Sequence, residues 1–217
     1  MTIHLPKHPT VLHLIRHAEV EERYHNVFGG SEINMGLSPL GLRQASALAD
    51  ATASWPIHAA YSSPMLRVNQ TLLPVLRPRD MTPVIMDGLR EMHFGEWTGC
   101  RWDQVHEKFG VSAYDWLRVL EGEGIPGGES ADAIKARVAP CVEEILHRHA
   151  HQNVAVFCHG GIIRVILALL LDLPLHRMAH FNIDYAGLTT VEIQPEKPHA
   201  VELNLLNWCP WQASELV

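Results

Sequence analysis

The chain has 217 residues, 47% of them hydrophobic and 19% charged, which is the composition of a folded globular domain with no segment biased enough to be disordered. Its formal net charge of −7 comes with scattered acids and no basic stripe, so nucleic acid is not an expected partner. The longest apolar run, Ile162 to Leu171, is broken by Arg164 and falls short of a bilayer span, so no membrane partner is expected either.

The N-terminal residues lack the apolar core of a signal peptide, and a cytoplasmic location is the expectation. Cys100, Cys141, Cys158 and Cys209 form no C-x-x-C pair, which fits a reducing compartment better than a disulfide framework or a zinc site. The tightest histidine cluster is His147, His149 and His151. Only His147 and His151 would share a helical face, too few ligands for a structural metal.

Taken in order, Thr10 to Ile15 reads as a buried strand that runs straight into Arg16 and His17. The C-terminal edge of an open α/β sheet is where ligands bind, so a cation and an imidazole are delivered to such an edge. Val20 to Leu37, with Gly29, Gly30 and Gly36, is expected to be a loop folded over that strand end. Pro39 starts a helix to about Ser54. Ile57 to Tyr61 is a second strand, followed by Ser62-Ser63-Pro64, and Pro64 is expected to open a helix that carries Arg67 and ends at Pro74 or Pro78. Thr82 to Met86 is a third strand leading to Glu91. Residues 92–128 are irregular and aromatic, with Phe94, Trp97, Trp102, Phe109, Tyr114 and Trp116. They are expected to contain short helices near 100–108 and 112–120 and to form a small core of their own. Ser130 caps a longer amphipathic helix kinked at Pro140. Asn153 to Cys158 is a strand that ends in His159-Gly160-Gly161 and passes into a helix from Ile162. Backbone N–H groups at such a turn make an anion site. Strands at about 187–193 and 200–206 complete the sheet.

Four strand ends therefore present Arg16 with His17, then Arg67, then Glu91, then His159 with Gly160. Two arginines and a helix N-terminus describe a site for a dianion such as phosphate. A neutral histidine there can attack phosphorus and carry the phosphoryl group, while the cations stabilise charge on its oxygens. Glu91 is the candidate acid for the leaving alkoxide.

Arg16-His17-Ala18-Glu19 is similar to the R-H-G-E signature of the histidine phosphatase superfamily, also called the phosphoglycerate mutase-like family. Ser62 to Thr71 resembles its S-S-x-x-x-R-A-x-Q-T segment. Leu89 to Trp97 and Cys158-His159-Gly160-Gly161 resemble its other two blocks, and the four fall in order along nearly the whole chain. The resemblance implies a phosphohistidine on His17, phosphate clamping by Arg16, Arg67 and His159, and acid–base work by Glu91. It implies no metal and no cofactor. The implied fold is a three-layer α/β/α sandwich with a mostly parallel central sheet, as one domain over 1–217 with a helical and loop insertion at about 92–128 covering the site.

Three departures from the family pattern stand out. Ala18 replaces a glycine, which would keep the backbone beside the nucleophile further from phosphate. Arg23 stands where many members carry a phosphate-binding asparagine, and either adds a clamp or swings out. Gly29-Gly30 sits where mutases have Thr-Gly, so Gly30 offers backbone but its neighbour offers no hydroxyl. Met92 follows Glu91 where mutases usually have arginine, and Asp103 to Gly128 holds only Lys108 and Arg118 as cations. Hydrolysis is thus favoured over mutase-type phosphoryl transfer, and Glu91 to Trp97 resembles α-ribazole phosphatases and other small phosphomonoesterases. The expected substrate is a small phosphate ester, and a homodimer is left open. Two other readings compete. Cys158 to Arg164 obeys C-x-x-G-x-x-R, the loop of cysteine-dependent phosphatases, and a non-catalytic phospho-ligand binding module would keep the pocket without turnover.

Overall fold

The computed structural model describes residues 3–197 and 199–213. Six strands form one sheet: β1 (Thr10–Arg16), β2 (Ala59–Ser62), β3 (Val84–Ile85), β4 (Asn153–Cys158), β5 (Leu188–Ile193) and β6 (Val201–Trp208), in the order β3-β2-β4-β1-β5-β6. The β2–β3, β2–β4 and β1–β4 pairs are parallel, while β5 runs antiparallel to both β1 and β6. The sheet is mixed and mostly parallel, flanked by helices. The helices are α1 (Pro39–Thr52), α2 (Leu66–Leu76), α3 (Trp102–Phe109), α4 (Trp116–Glu121), α5 (Ala131–Arg148), α6 (Gly160–Leu170) and α7 (Pro210–Ala213).

Alternation along the central strands decides which layer each side chain joins. Val154, Val156 and Cys158 of β4 and Leu12 and Leu14 of β1 pack with Ile134, Val138 and Ile145 of α5 and with the buried face of α6. Ala155, Phe157 and Ile15 point the other way, against Leu48 of α1 and Val68, Leu72 and Val75 of α2. With both faces covered, β4 can be apolar along its whole length, as parallel strands commonly are. Ser38 and Ser130 start α1 and α5 by accepting the Gly41 and Ala133 N–H groups. Among the described residues no helix is long and apolar enough to cross a membrane.

Several elements differ from the sequence reading for identifiable reasons. Pro64 does not open α2. The Ser63 N–H still bonds the Phe157 carbonyl, extending the strand by a residue, and Met65 becomes the cap before Leu66. Pro74 lies inside the last turn of α2 instead of ending it. The third strand shrinks to two residues because β2 pairs only Tyr61 and Ser62 with it. Helix α6 starts at Gly160, not Ile162, so both glycines belong to its first turn. Helix α5 ends at Arg148 and His151 adopts a left-handed backbone with φ 60°, so His147 and His151 do not share a helical face. His149 instead bonds Tyr61 and Gln152. The aromatics of 92–128 do not form a separate core: Phe94, Trp97, Val105 and Leu117 join the same cluster as Leu12, Leu14 and Val156.

Candidate active site

The parallel register of β1 and β4 sets the site. Arg16 pairs with Cys158, so the residue following each strand, His17 and His159, emerges at the same level from neighbouring strands. Their rings lie 5.3 Å apart, edge to face, and both are buried. His17 Nδ1 is 2.9 Å from the Ala18 carbonyl. A carbonyl only accepts, so Nδ1 carries the proton and Nε2 keeps its lone pair. Arg67 Nε donates to that Nε2 at 3.2 Å. The rest of the Arg67 guanidinium is fixed by the Gly30 and Ile33 carbonyls at 3.0 and 3.1 Å. Gly30 reaches this position with φ +53°, and a Cβ there would lie 2.7 Å from the Met92 carbonyl, so the loop is tied down through a glycine.

Arg16 donates to the Ile183 carbonyl and lies over the Tyr185 ring at 4.1 Å. Arg164 donates to the Gly160 and Phe181 carbonyls, both at 3.0 Å. His159 Nε2 meets Ser63 Oγ at 2.8 Å. Among the described residues, Arg16 Nε and His159 Nδ1 are buried without a partner, an arrangement that an oxyanion would complete.

Glu91 faces this group from the turn that follows β3. Its carboxylate accepts from its neighbour Met92 N–H at 3.1 Å and from Gly161 N–H, at the start of α6, at 3.3 Å. A Cβ on Gly161 would fall 2.5 Å from Glu91 Oε1, so only glycine lets the carboxylate approach the helix this closely. Three arginines and one carboxylate line the cavity, leaving it cationic.

Burial and the two arginines hold both histidines well below their ordinary pKa: burial and Arg67 act first on each, joined by Arg16 and, for His159, by His17. His17 is therefore neutral at physiological pH, as a nucleophile must be. Burial also lowers Arg67 and Arg164 to about 10, which leaves both cationic. Cys158 is buried and its thiol is pushed far up by burial, so it stays protonated and does not meet the requirement of a thiolate nucleophile.

The cavity measures about 330 Å³. Arg16, His17, Gly30, Arg67, Glu91 and Gly160 all line it; His159 is not among the lining residues, its ring lying 5.3 Å from that of His17. Arg23 does not line it either. Its side chain is 70% exposed, paired with Glu21 at 2.6 Å and stacked over Tyr24, so of the two alternatives left open for it the outward one is adopted. Ala18 is likewise outside the lining. Its methyl is buried with Leu37, Ala45 and Ala186, and its N–H donates to Thr71 Oγ1 at 2.9 Å.

Sequence reasoning missed three contributors and met a fourth, Arg164, only as a break in an apolar run and as the last residue of the competing C-x-x-G-x-x-R pattern. Tyr185 was not picked out because the loop bringing it back has no periodic signal. Arg137 and Glu129 form a two-bond pair at 2.7 and 2.9 Å. Arg137 then donates to the Gly88, Arg90 and Glu91 carbonyls at 2.8, 2.8 and 3.3 Å, and Glu129 accepts the His93 N–H at 2.8 Å. The pair grips the main chain on both sides of Glu91. Burial raises the Glu129 pKa, but Arg137 and the His93 N–H outweigh it and hold the carboxylate ionised.

Fold and site together are those of an α/β enzyme that handles a phosphoryl group. Residues 12–206 match the histidine phosphatase superfamily (branch 1), and the chain belongs to that superfamily; it is a phosphoric monoester hydrolase. It is 28% identical over 192 residues to phosphoserine phosphatase 1 of Hydrogenobacter thermophilus, covering 88% of this chain and 90% of that one. It is 31% identical to 2,3-bisphosphoglycerate-dependent phosphoglycerate mutase 2 of Gloeobacter violaceus, covering 86% and 87%. The fold is shared with the α-ribazole phosphatase from Shigella flexneri, at a TM-score of 0.77 with 24% identity over 91% of this chain and 96% of that one.

Proposed function

We propose that the protein hydrolyses a small phosphate monoester without a metal, through a phosphohistidine on His17. The reading is carried by the His17 ring: Nδ1 is committed to the Ala18 carbonyl, and Nε2 keeps its lone pair at the cavity, where it accepts from Arg67 Nε and exchanges that bond for phosphorus when it attacks. In the first step Nε2 attacks phosphorus and the P–O bond to the alcohol breaks. The Glu91 carboxylic acid gives its proton to the departing oxygen. In the second step the Glu91 carboxylate takes a proton from water, whose oxygen attacks phosphorus. The P–N bond then breaks, releasing inorganic phosphate and returning neutral His17. Arg16, Arg67, His159 and the N–H groups at the start of α6 offset charge on the phosphoryl oxygens throughout. Gly30 and Gly160 shape the pocket through their backbones, and residues 92–128 cover one side of it. Arg23 has no part in this scheme.

Mutase-type transfer needs a site for a second phosphate. The cationic lining is confined to Arg16, Arg67 and Arg164, and Met92 is buried beside Glu91, so hydrolysis is the better supported reading.

The test is turnover of p-nitrophenyl phosphate in excess EDTA by the wild type, His17→Ala and Cys158→Ser. The expected result is metal-independent hydrolysis that survives Cys158→Ser and falls by at least roughly 10⁴-fold in His17→Ala, the scale on which loss of a nucleophile acts. An inert wild type would favour a binding module, and loss with Cys158→Ser alone would make cysteine the nucleophile.

A further inference from the structure

The cavity has two chemically distinct ends. Every charged side chain in its lining, namely Arg16, Arg67, Arg164 and Glu91, together with His17, belongs to the phosphate end. These cations are already tied to backbone carbonyls on their outer side: Arg67 to Gly30 and Ile33, Arg164 to Gly160 and Phe181, Arg16 to Ile183. They are held in place and cannot follow a second anion into the outer part of the cavity.

The outer part is a wall of rings. Phe28 stacks on Trp102 at 5.9 Å and meets Phe94 edge-on at 4.9 Å, and Phe94 in turn meets Trp116 edge-on at 5.7 Å. All four rings line the cavity. The wall adjoins the phosphate end: a Cβ on Gly30, whose carbonyl holds Arg67, would lie 3.0 Å from the Phe94 ring, so an alcohol esterified to phosphate there has the rings beside it. The remaining lining side chains, from Val20, Tyr24, Asn26, Val27, Met35 and Tyr185, carry no charge. A carboxylate on the alcohol would lose water here and gain no ionic partner. A flat ring would lose water favourably and meet ring faces and edges.

We infer that the substrate is a monophosphate ester of an uncharged alcohol bearing an aromatic ring. Phosphoserine, the substrate in the name of one relative, carries a carboxylate on its alcohol and fits this wall poorly. The inference rests on the phosphatase reading for its leaving-group direction, but not for its binding surface.

Two measurements separate the two readings. The first is binding without turnover, by calorimetry, of 3-phenylpropylphosphonate, 3-cyclohexylpropylphosphonate and propylphosphonate to the wild type. Burial of one ring predicts binding of the phenyl compound roughly 30-fold tighter than propylphosphonate, with the cyclohexyl compound between them. Trp102→Ala and Trp116→Ala should each shrink the phenyl-to-propyl ratio severalfold. Equal binding of phenyl and propyl compounds would overturn the inference, and equal binding of phenyl and cyclohexyl would overturn its aromatic part.

The second is kcat/KM for phenethyl phosphate, ethyl phosphate and phosphoserine, all with alkoxide leaving groups. The expected order is phenethyl first, by roughly 30-fold over ethyl and by more over phosphoserine. If phosphoserine comes first, the substrate class is wrong while hydrolysis stands. If no ester turns over but the phosphonate preference holds, the substrate class stands and the phosphatase reading falls.

Discussion

The two ends of the cavity are built by opposite means. At the phosphate end each working side chain is fastened to main chain: His17 to the Ala18 carbonyl, Arg67 to Gly30 and Ile33, Glu91 to the Gly161 N–H, Arg164 to Gly160. At the outer end the rings of Phe28, Phe94, Trp102 and Trp116 are held against one another, on short helices and turns. Hydrogen bonds and charge demand fixed distances and angles, whereas apolar area is tolerant of shape. A change at the first end should therefore alter the chemistry in steps, and a change at the second should shift selectivity gradually.

The largest expected break in that contrast is Glu91→Gln, which keeps the shape and removes the proton. It should slow the first step, phosphorylation of His17, by about 10³-fold with an alkyl phosphate and by far less with p-nitrophenyl phosphate, because nitrophenolate leaves without protonation. Rapid-quench measurement of alcohol released in the first turnover from each substrate checks this, and equal losses in that step would remove Glu91 from the donor role.

Acid should act next, and on the sheet end. His13 on β1 bonds Thr190 Oγ1 at 3.0 Å, packs on Trp55, and is lowered to about 4 by burial. Unfolded, it titrates near its ordinary 6.5. Between these values the unfolded chain binds the extra proton, so stability is fully present above about pH 6.5 and declines as pH falls toward 4. His13 alone contributes a loss of about 3 kcal/mol, and buried His17 and His159 add in the same direction. Urea midpoints across this window should drop steeply in the wild type and more gently in His13→Gln.

The smallest of the three effects should come from Arg137→Met, which touches no substrate. Releasing the Gly88, Arg90 and Glu91 carbonyls lets the donor wander, so kcat should fall by about 30-fold with KM changed by less than about threefold. Arg137→Lys should recover part of the loss. A matched change in KM instead would mean that the pair supports binding and not the position of Glu91.

How much of this was legible in the sequence depends on which force fixes each part. Strand β4 and the capped start of α5 were read to the residue, because a fully apolar run and a serine cap are local signals. His17, Arg67, Glu91 and His159 could be singled out because each follows a strand. Arg137 could not, since it looks like any polar residue on the outer face of an amphipathic helix until tertiary packing sets it beneath Glu91. Tyr185 sits in a loop without periodicity. Arg23 was left with two orientations because position in a motif carries no information about which way a long side chain turns, and Glu21 two residues away is the partner it takes.

The pairing of Arg16 with Cys158 has a further consequence. The separation between the imidazoles of His17 and His159 is inherited from the spacing of hydrogen-bonded strands, about 4.8 Å. Neither ring has to be steered there by its own packing. Side chains of the outer ring wall can therefore change without moving the two imidazoles, as long as no residue is inserted or lost in either strand. A single insertion would turn one histidine to the opposite face of the sheet and leave the other alone. In this enzyme the lengths and register of the two central strands set the distance between the two imidazoles.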